Sequence, residues 1–194
     1  MKLACVVEGH GEVEALPVIL RRIASAVNPE KNIVVLPPIR VGRQRIFQPH
    51  EFERTIKLAT AKAGIDGAVL FLLDADDDCP SEKCRWIKDE ARRIIPDITI
   101  SAVMAKREFE AWFIAAAESL AGYRGLSVDL LPPAYPEAIR GAKEWLSGQM
   151  GNRKKYRATM DQAAFSAKFD MELALSRSSS FSKLYRDVRR LLVV

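Results

Sequence analysis

Apolar residues fall into two kinds of run along this chain. Leu3–Val7 and Ala68–Leu73 are short and continuous, as strands covered on both faces are. Other segments repeat apolar residues at helical spacing. Residues 13–27 place Leu16, Ile19, Leu20, Ile23 and Val27 on one face, and Asn28-Pro29 ends the pattern. Residues 33–36 form a second strand candidate. Pro37-Pro38 then leads into residues 39–47, an irregular basic loop or an edge strand. The spacing predicts a helix over 50–63, built on Phe52, Ile56, Ala59 and Ala63, with Gly64 as its C-cap. A further helix is expected over 81–95, capped by Ser81 and stopped by Pro96. Residues 98–104 read as a strand, and 108–121 as a strongly apolar helix carrying Phe109, Trp112, Phe113, Ala116 and Leu120.

Strand and helix alternate over residues 1–125, which argues for an α/β fold with a parallel-rich, Rossmann-like sheet flanked by helices. The pattern then changes. Residues 122–136 look like a loop, and helices are expected over 136–150, 160–175 and 181–192. Residues 126–194 are therefore expected to form a helical C-terminal extension packed on the α/β domain. No stretch approaches the ~20 apolar residues of a membrane span. Met1-Lys2 leads straight into a strand, without the apolar segment of a signal peptide. The three cysteines, Cys5, Cys79 and Cys84, are too few and too odd in number for a disulfide framework. A cytoplasmic protein is the expectation.

Charge sharpens the picture. Both continuous apolar runs end in carboxylates: Leu3–Val7 runs into Glu8-Gly9-His10-Gly11-Glu12, and Ala68–Leu73 into Asp74-Ala75-Asp76-Asp77-Asp78. Open α/β sheets place their sites at these carboxyl ends. Crowded carboxylates repel unless a cation compensates them, and hard oxygen donors suit Mg²⁺ or Mn²⁺ rather than zinc. Glu8 is a candidate metal ligand or water-activating base, beside glycines that permit a tight turn. Asp74 and Asp76 are candidates to grip the metal, with Asp78 assisting. The same acids also suit plain structural roles, as solvated loop or as favourable charges at helix starts. Glu108 is a further candidate ligand, with Lys106 as phosphate partner and catalytic cation.

The net charge is nonetheless +5. The surplus cations lie elsewhere, notably at Arg40, Arg43 and Arg45 and at Arg153, Lys154, Lys155 and Arg157. An acidic centre within a basic surround suits a metal enzyme acting on a phosphate polymer. Arg40, Arg43 and Arg45 are the candidate nucleic-acid contacts. Trp112 and Phe113 read as core, and Ser178–Ser180 as an N-cap.

A strand ending in Glu8-Gly9 and another ending in Asp74-x-Asp76 resemble the two motifs of the TOPRIM fold, the metal-binding catalytic domain of topoisomerases, bacterial primases and OLD-family nucleases. Val7-Glu8-Gly9-x-Gly11-Glu12, Leu73-Asp74-Ala75-Asp76, Arg107-Glu108-Phe109-Glu110-Ala111-Trp112-Phe113 and Ser179-Ser180-Phe181-x-Lys183-Leu184 are similar to the DUF4276 family, which looks like a stand-alone relative of these nucleases. The resemblance implies a core site of Glu8, Asp74 and Asp76, and adds Glu12. It implies a Mg²⁺- or Mn²⁺-dependent nuclease acting on DNA or RNA. The chain has no Gly-x-x-x-x-Gly-Lys-Ser/Thr loop, so it is no ATPase itself. A second reading follows from that: a partner subunit of an ATPase in a defence-type complex, with the TOPRIM scaffold degenerate. A receiver-like phosphotransferase fits less well because the chain continues with a helical third, and a HAD-like one because its Asp-x-Asp-x-Thr/Val pattern is missing early in the chain and the Asp run follows two strand–helix units.

Overall fold

The computed structural model describes residues 1–31, 33–151 and 154–193. Arg153, one of the cations singled out above, lies outside them. Strand β1 (Lys2–Val7) is followed by helix α1 (His10–Val27), short strands β2 (Val34–Val35) and β3 (Ile39–Arg40), one-turn helix α2 (Arg43–Ile46) and helix α3 (Pro49–Ala63). Then come β4 (Ala68–Asp74), α4 (Pro80–Ile94), β5 (Ile100–Ala105), α5 (Ala111–Ala115), α6 (Ala142–Gly148), α7 (Ala163–Lys168), α8 (Met171–Arg177) and α9 (Ser179–Val193).

The sheet is parallel, in the order β2-β1-β4-β5, with β3 pairing β1 just beyond β2. Side chains alternate across it. Leu3, Cys5, Val7, Leu70, Leu72, Val103 and Ala105 face one core, while Ala4, Val6, Val69, Phe71, Leu73, Ala102 and Met104 face the other. Both faces being covered explains why β1 and β4 are continuous apolar runs. Helices α3 and α4 cover the second face through Phe52, Ile56, Ala59, Ile87 and Ala91. Helix α1 covers the first face, and the C-terminal helices join it there through Phe165, Ala174, Phe181, Leu184 and Val188. Phe113 packs edge-on against Phe165 and Phe169, with ring centroids 5.5 and 5.6 Å away. Trp112 meets Phe181 at 5.4 Å. Burying each such ring contributes roughly 1.5–3 kcal/mol.

Several expected helices are shorter than their apolar patterns, and in each case a local backbone feature or a side chain intervenes. The 108–121 helix is cut to α5 and a 3₁₀ turn over Ala117–Leu120. Arg107 sits at φ 66°, and Asp74 takes the Phe109 amide, so residues 107–110 form a turn. The 136–150 helix breaks at Gly141, φ 68°, where the Glu108 carboxylate accepts the Ala142 amide and starts α6. The 160–175 helix breaks at Phe169, after which Asp170 caps α8 by accepting from Glu172 and Leu173. Ser81 is not the cap of α4: Cys79 occupies that position and Pro80 opens the helix. Ser178 does cap α9, its Oγ accepting the Phe181 amide at 3.0 Å. Glu137 adds a second cap from outside, accepting from Ser178, Ser179 and Ser180. The 39–47 segment resolves into β3 and α2.

Candidate carboxylate site at the strand ends

From β1 the chain passes along α1 to the sheet edge at β2. From β3 it returns by α3, on the opposite face, past β1 to β4. The direction of winding therefore reverses between β1 and β4. The crevice outside the carboxyl ends at such a switch point is where open sheets bind ligands. Val7 is in register with Leu72, so Glu8 and Asp74 leave adjacent strands one position apart at that crevice.

Around them gather Glu12 from the first turn of α1 and Glu110 from the turn after β5. Glu12 Oε2 accepts the amides of Glu8 (3.0 Å) and Gly9 (2.9 Å). This closes the first turn of the helix but places a carboxylate where its charge is poorly hydrated. Burial, with lesser contributions from the Glu110 and Glu8 charges, pushes Glu12 up to about 7. Asp74 Oδ1 accepts the Phe109 amide at 2.7 Å. Burial and the charges of Glu12 and Glu110 hold Asp74 well above the usual carboxylate range. Glu8 is raised mainly by burial, and Arg43 partly offsets this.

Glu110 is fully buried. Its Oε1 accepts from the Tyr156 hydroxyl (3.0 Å) and Gln162 Nε2 (3.2 Å), and its Oε2 faces Lys143 Nζ at 3.0 Å. The same ammonium bonds Glu108 at 2.7 Å. Burial works to raise Glu108, but Lys143 and the Ala142 amide outweigh it and hold the group low. Lys143 is itself raised: burial lowers it, and the surrounding carboxylates more than compensate.

The Asp run bends away from the sheet, with Asp76 at φ 48°. Arg43 gathers it in. Its guanidinium meets Asp76 at 3.2 Å, Asp78 through a hydrogen bond, Glu8 at 3.7 Å, and the carbonyls of Asp74 and Ala75. Asp77 faces outward to Arg107 and to Arg140, whose Nη2 lies 2.8 Å away. Thus Glu8, Glu12 and Asp74 share the crevice, while Asp76 and Asp78 sit at its rim around Arg43.

Of the three loop arginines, only Arg43 reaches this site. Arg40 is exposed at the end of β3, and Arg45 pairs with Glu51 at 2.7 Å on the surface. Lys106 is exposed, and the ammonium among the carboxylates is that of Lys143. His10 is exposed at the start of α1. Glu110, Lys143, Tyr156 and Gln162 were not anticipated as a unit. Glu110 resembles an ordinary helix-start acid, and its partners come from the C-terminal extension, where no local pattern marks them.

Among the described residues, no three His, Cys, Asp or Glu side chains already converge as ligands on one point. In kind, however, the donors suit a divalent cation. They are hard oxygens, Glu8 Oε2 is buried with no hydrogen bond, and burial raises the proton affinities of Glu8, Glu12, Asp74 and Glu110 despite the nearby charges of Arg43 and Lys143. A family model described as a domain of unknown function (DUF4276) matches residues 7–189. No curated protein and no solved structure matches the chain.

Proposed function

The chain belongs to the DUF4276 family, and from its strand-end site we propose that it is a phosphodiesterase that cuts DNA or RNA with the help of Mg²⁺ or Mn²⁺. One observation carries the reading. At the switch point between β1 and β4, buried or half-buried Glu8, Glu12, Asp74 and Glu110 lie around one crevice, and among the described residues the cations that meet them are Arg43 and Lys143. Glu8-Gly9 at the end of β1 and Asp74-x-Asp76 at the end of the adjacent β4 also support a TOPRIM-like relationship to OLD-family nucleases.

Glu8 and Asp74 would hold the cation, with Asp76 reaching in from the rim. When bound, the metal supplies charge for the scissile phosphate and lowers the pKa of a water. The protein's own groups do the rest. Glu12, with a proton affinity near neutrality, is suited to accept a proton from a nucleophile. Arg43 presents a guanidinium over the rim, where the phosphate charge would develop. Lys143 fixes Glu108 and Glu110 and so sets the floor of the site. Three free thiols, Cys5, Cys79 and Cys84, support a cytoplasmic setting.

The test compares wild type with Asp74→Asn, which keeps an oxygen for the Phe109 amide. Calorimetry with Mn²⁺ and cleavage of end-labelled DNA and RNA in Mg²⁺ or Mn²⁺ are the readouts. Metal binding and cleavage are both expected in wild type and lost in a folded Asp74→Asn protein. A wild type that binds no metal, or a variant that cuts normally, overturns the proposal.

A further inference from the structure

A second concave feature lies behind the carboxylate site. A cavity of about 660 Å³ is lined by Arg124, Lys154, Lys155, Arg157, Met160 and Asp161, among others. Four cations thus face one carboxylate, and that carboxylate is already engaged. Asp161 takes Arg124 Nε through Oδ1 (2.8 Å) and the Arg157 amide through Oδ2 (2.8 Å). Among the described residues, Lys154, Lys155 and Arg157 have no ion-pair partner. Like charges held this close repel one another unless an anion sits between them.

The cationic wall is built, not a chance surface cluster. The extended segment before the 158–162 turn alternates: exposed Lys155 and Arg157 line the open cavity, while buried Tyr156 points inward to Glu110. At the other end of the turn, Asp161 faces the cavity and Gln162 faces Glu110. Glu110 therefore anchors from behind the segment that carries the cations. Arg124 is held at φ 50°, a backbone state unfavourable for a non-glycine residue, and its link to Asp161 secures it. One turn thus separates the cavity from the carboxylate site.

We propose that this cavity binds the sugar–phosphate backbone of single-stranded nucleic acid and leads it to the carboxylate site. The proposal rests on the phosphodiesterase reading for the identity of the polymer. Arg124 is paired with Asp161, and the three remaining cations outnumber the needs of one phosphate and match a run of phosphodiesters. The cations line an open concavity and not a flat or convex face, a shape that admits a splayed strand more readily than the convex face of a duplex. Met160, 57% exposed beside the cations, offers an apolar surface for a base.

The test is fluorescence anisotropy of labelled oligothymidine and of an RNA of equal length, in EDTA so that no cleavage intervenes. Wild type is compared with Lys154→Glu/Arg157→Glu and with Arg189→Glu/Arg190→Glu on α9. The altered side chains are exposed, and circular dichroism checks that each variant is folded. The first variant should bind at least ~10-fold more weakly at about 0.1 M salt. Its slope of log affinity against log salt should fall by about 1.4, at ~0.7 per phosphate contact on a single strand. The Arg189/Arg190 variant should bind nearly as wild type does. Unchanged affinity and slope in Lys154→Glu/Arg157→Glu overturn the proposal. So does equal competition by inorganic phosphate or polyglutamate, which would make the cavity a site for a single anion or an acidic chain. Wild type that binds but never cuts leaves this proposal standing and removes the phosphodiesterase reading. Wild type that cuts, with the cavity variant binding normally, does the reverse.

Discussion

Replacing Glu12 with glutamine removes one charge from the crevice and little else. The side chain keeps its shape and still offers an oxygen to the Glu8 and Gly9 amides. In the unfolded chain this carboxyl loses its proton around its ordinary value of 4.5, and in the folded protein around 7. Between those values the folded state holds a proton that the unfolded state has released, so raising the pH favours unfolding. At 1.36 kcal/mol per pKa unit, the shift amounts to roughly 3 kcal/mol of stability, present below pH 4.5 and lost as pH rises through 7. Glu12→Gln should therefore match wild type near pH 4.5 and exceed it by up to about 3 kcal/mol near pH 8. Urea unfolding in EDTA across this pH range measures the difference directly. A gap between variant and wild type that does not widen with pH would refute the assignment of Glu12 as a buried, poorly compensated acid.

Two further outcomes test the packing behind the site. Lys143→Met strips the ammonium from fully buried Glu110 and should cost about 2–3 kcal/mol by chemical denaturation, less than a wholly buried pair because Lys143 is part-exposed. Glu110→Gln in the same chain should recover most of that loss, and simple additivity of the two changes would show that the groups are not coupled. A Cβ at Gly11 would lie 2.0 Å from Gln162 Oε1 and 2.7 Å from the Ala158 carbonyl. Gly11→Ala should thus lower thermal stability by ~1–3 kcal/mol, whereas Gly42→Ala, with nothing within 4 Å, should not; equal effects would contradict the close approach of the 158–162 turn to α1.

What the sequence disclosed was whatever is decided locally. β1 and β4 are buried on both faces, so their apolar runs are unbroken and the acids that follow them mark the carboxyl edge. Glu8, Asp74 and Asp76 could be picked out for that reason alone. Helix lengths in the second half could not, because their ends are set by groups far away in sequence. Glu108 starts α6 from 34 residues upstream, and Glu137 caps α9 from over 40 residues upstream. An apolar period of 3.6 runs through such a break without registering it. The cation of the site was hidden for the same reason. Lys106 is the neighbour of Glu108 in sequence, but β5 leaves it exposed, while the turn at Gly141 brings Lys143 onto both Glu108 and Glu110.

The electrostatics tie the extension to the site more closely than its helical composition suggests. Glu110 is fully buried, and its partners among the described side chains are Lys143, Tyr156 and Gln162, all from beyond residue 125. Tyr156 in turn depends on the carboxylate: burial and the Glu110 charge push its hydroxyl far above its ordinary range, so it stays a hydrogen-bond donor. The aromatic seam of Trp112 and Phe113 with Phe165, Phe169 and Phe181 reaches this network through Phe165, whose ring centroid lies 5.6 Å from that of Tyr156, and gives it an apolar wall. A low dielectric strengthens each of these bonds and equally raises the cost of any unpaired acid. The raised proton affinities at the end of β1 and β4 are therefore a consequence of helices packed on the sheet. The same strand ends without that cover would carry ordinary, hydrated carboxylates.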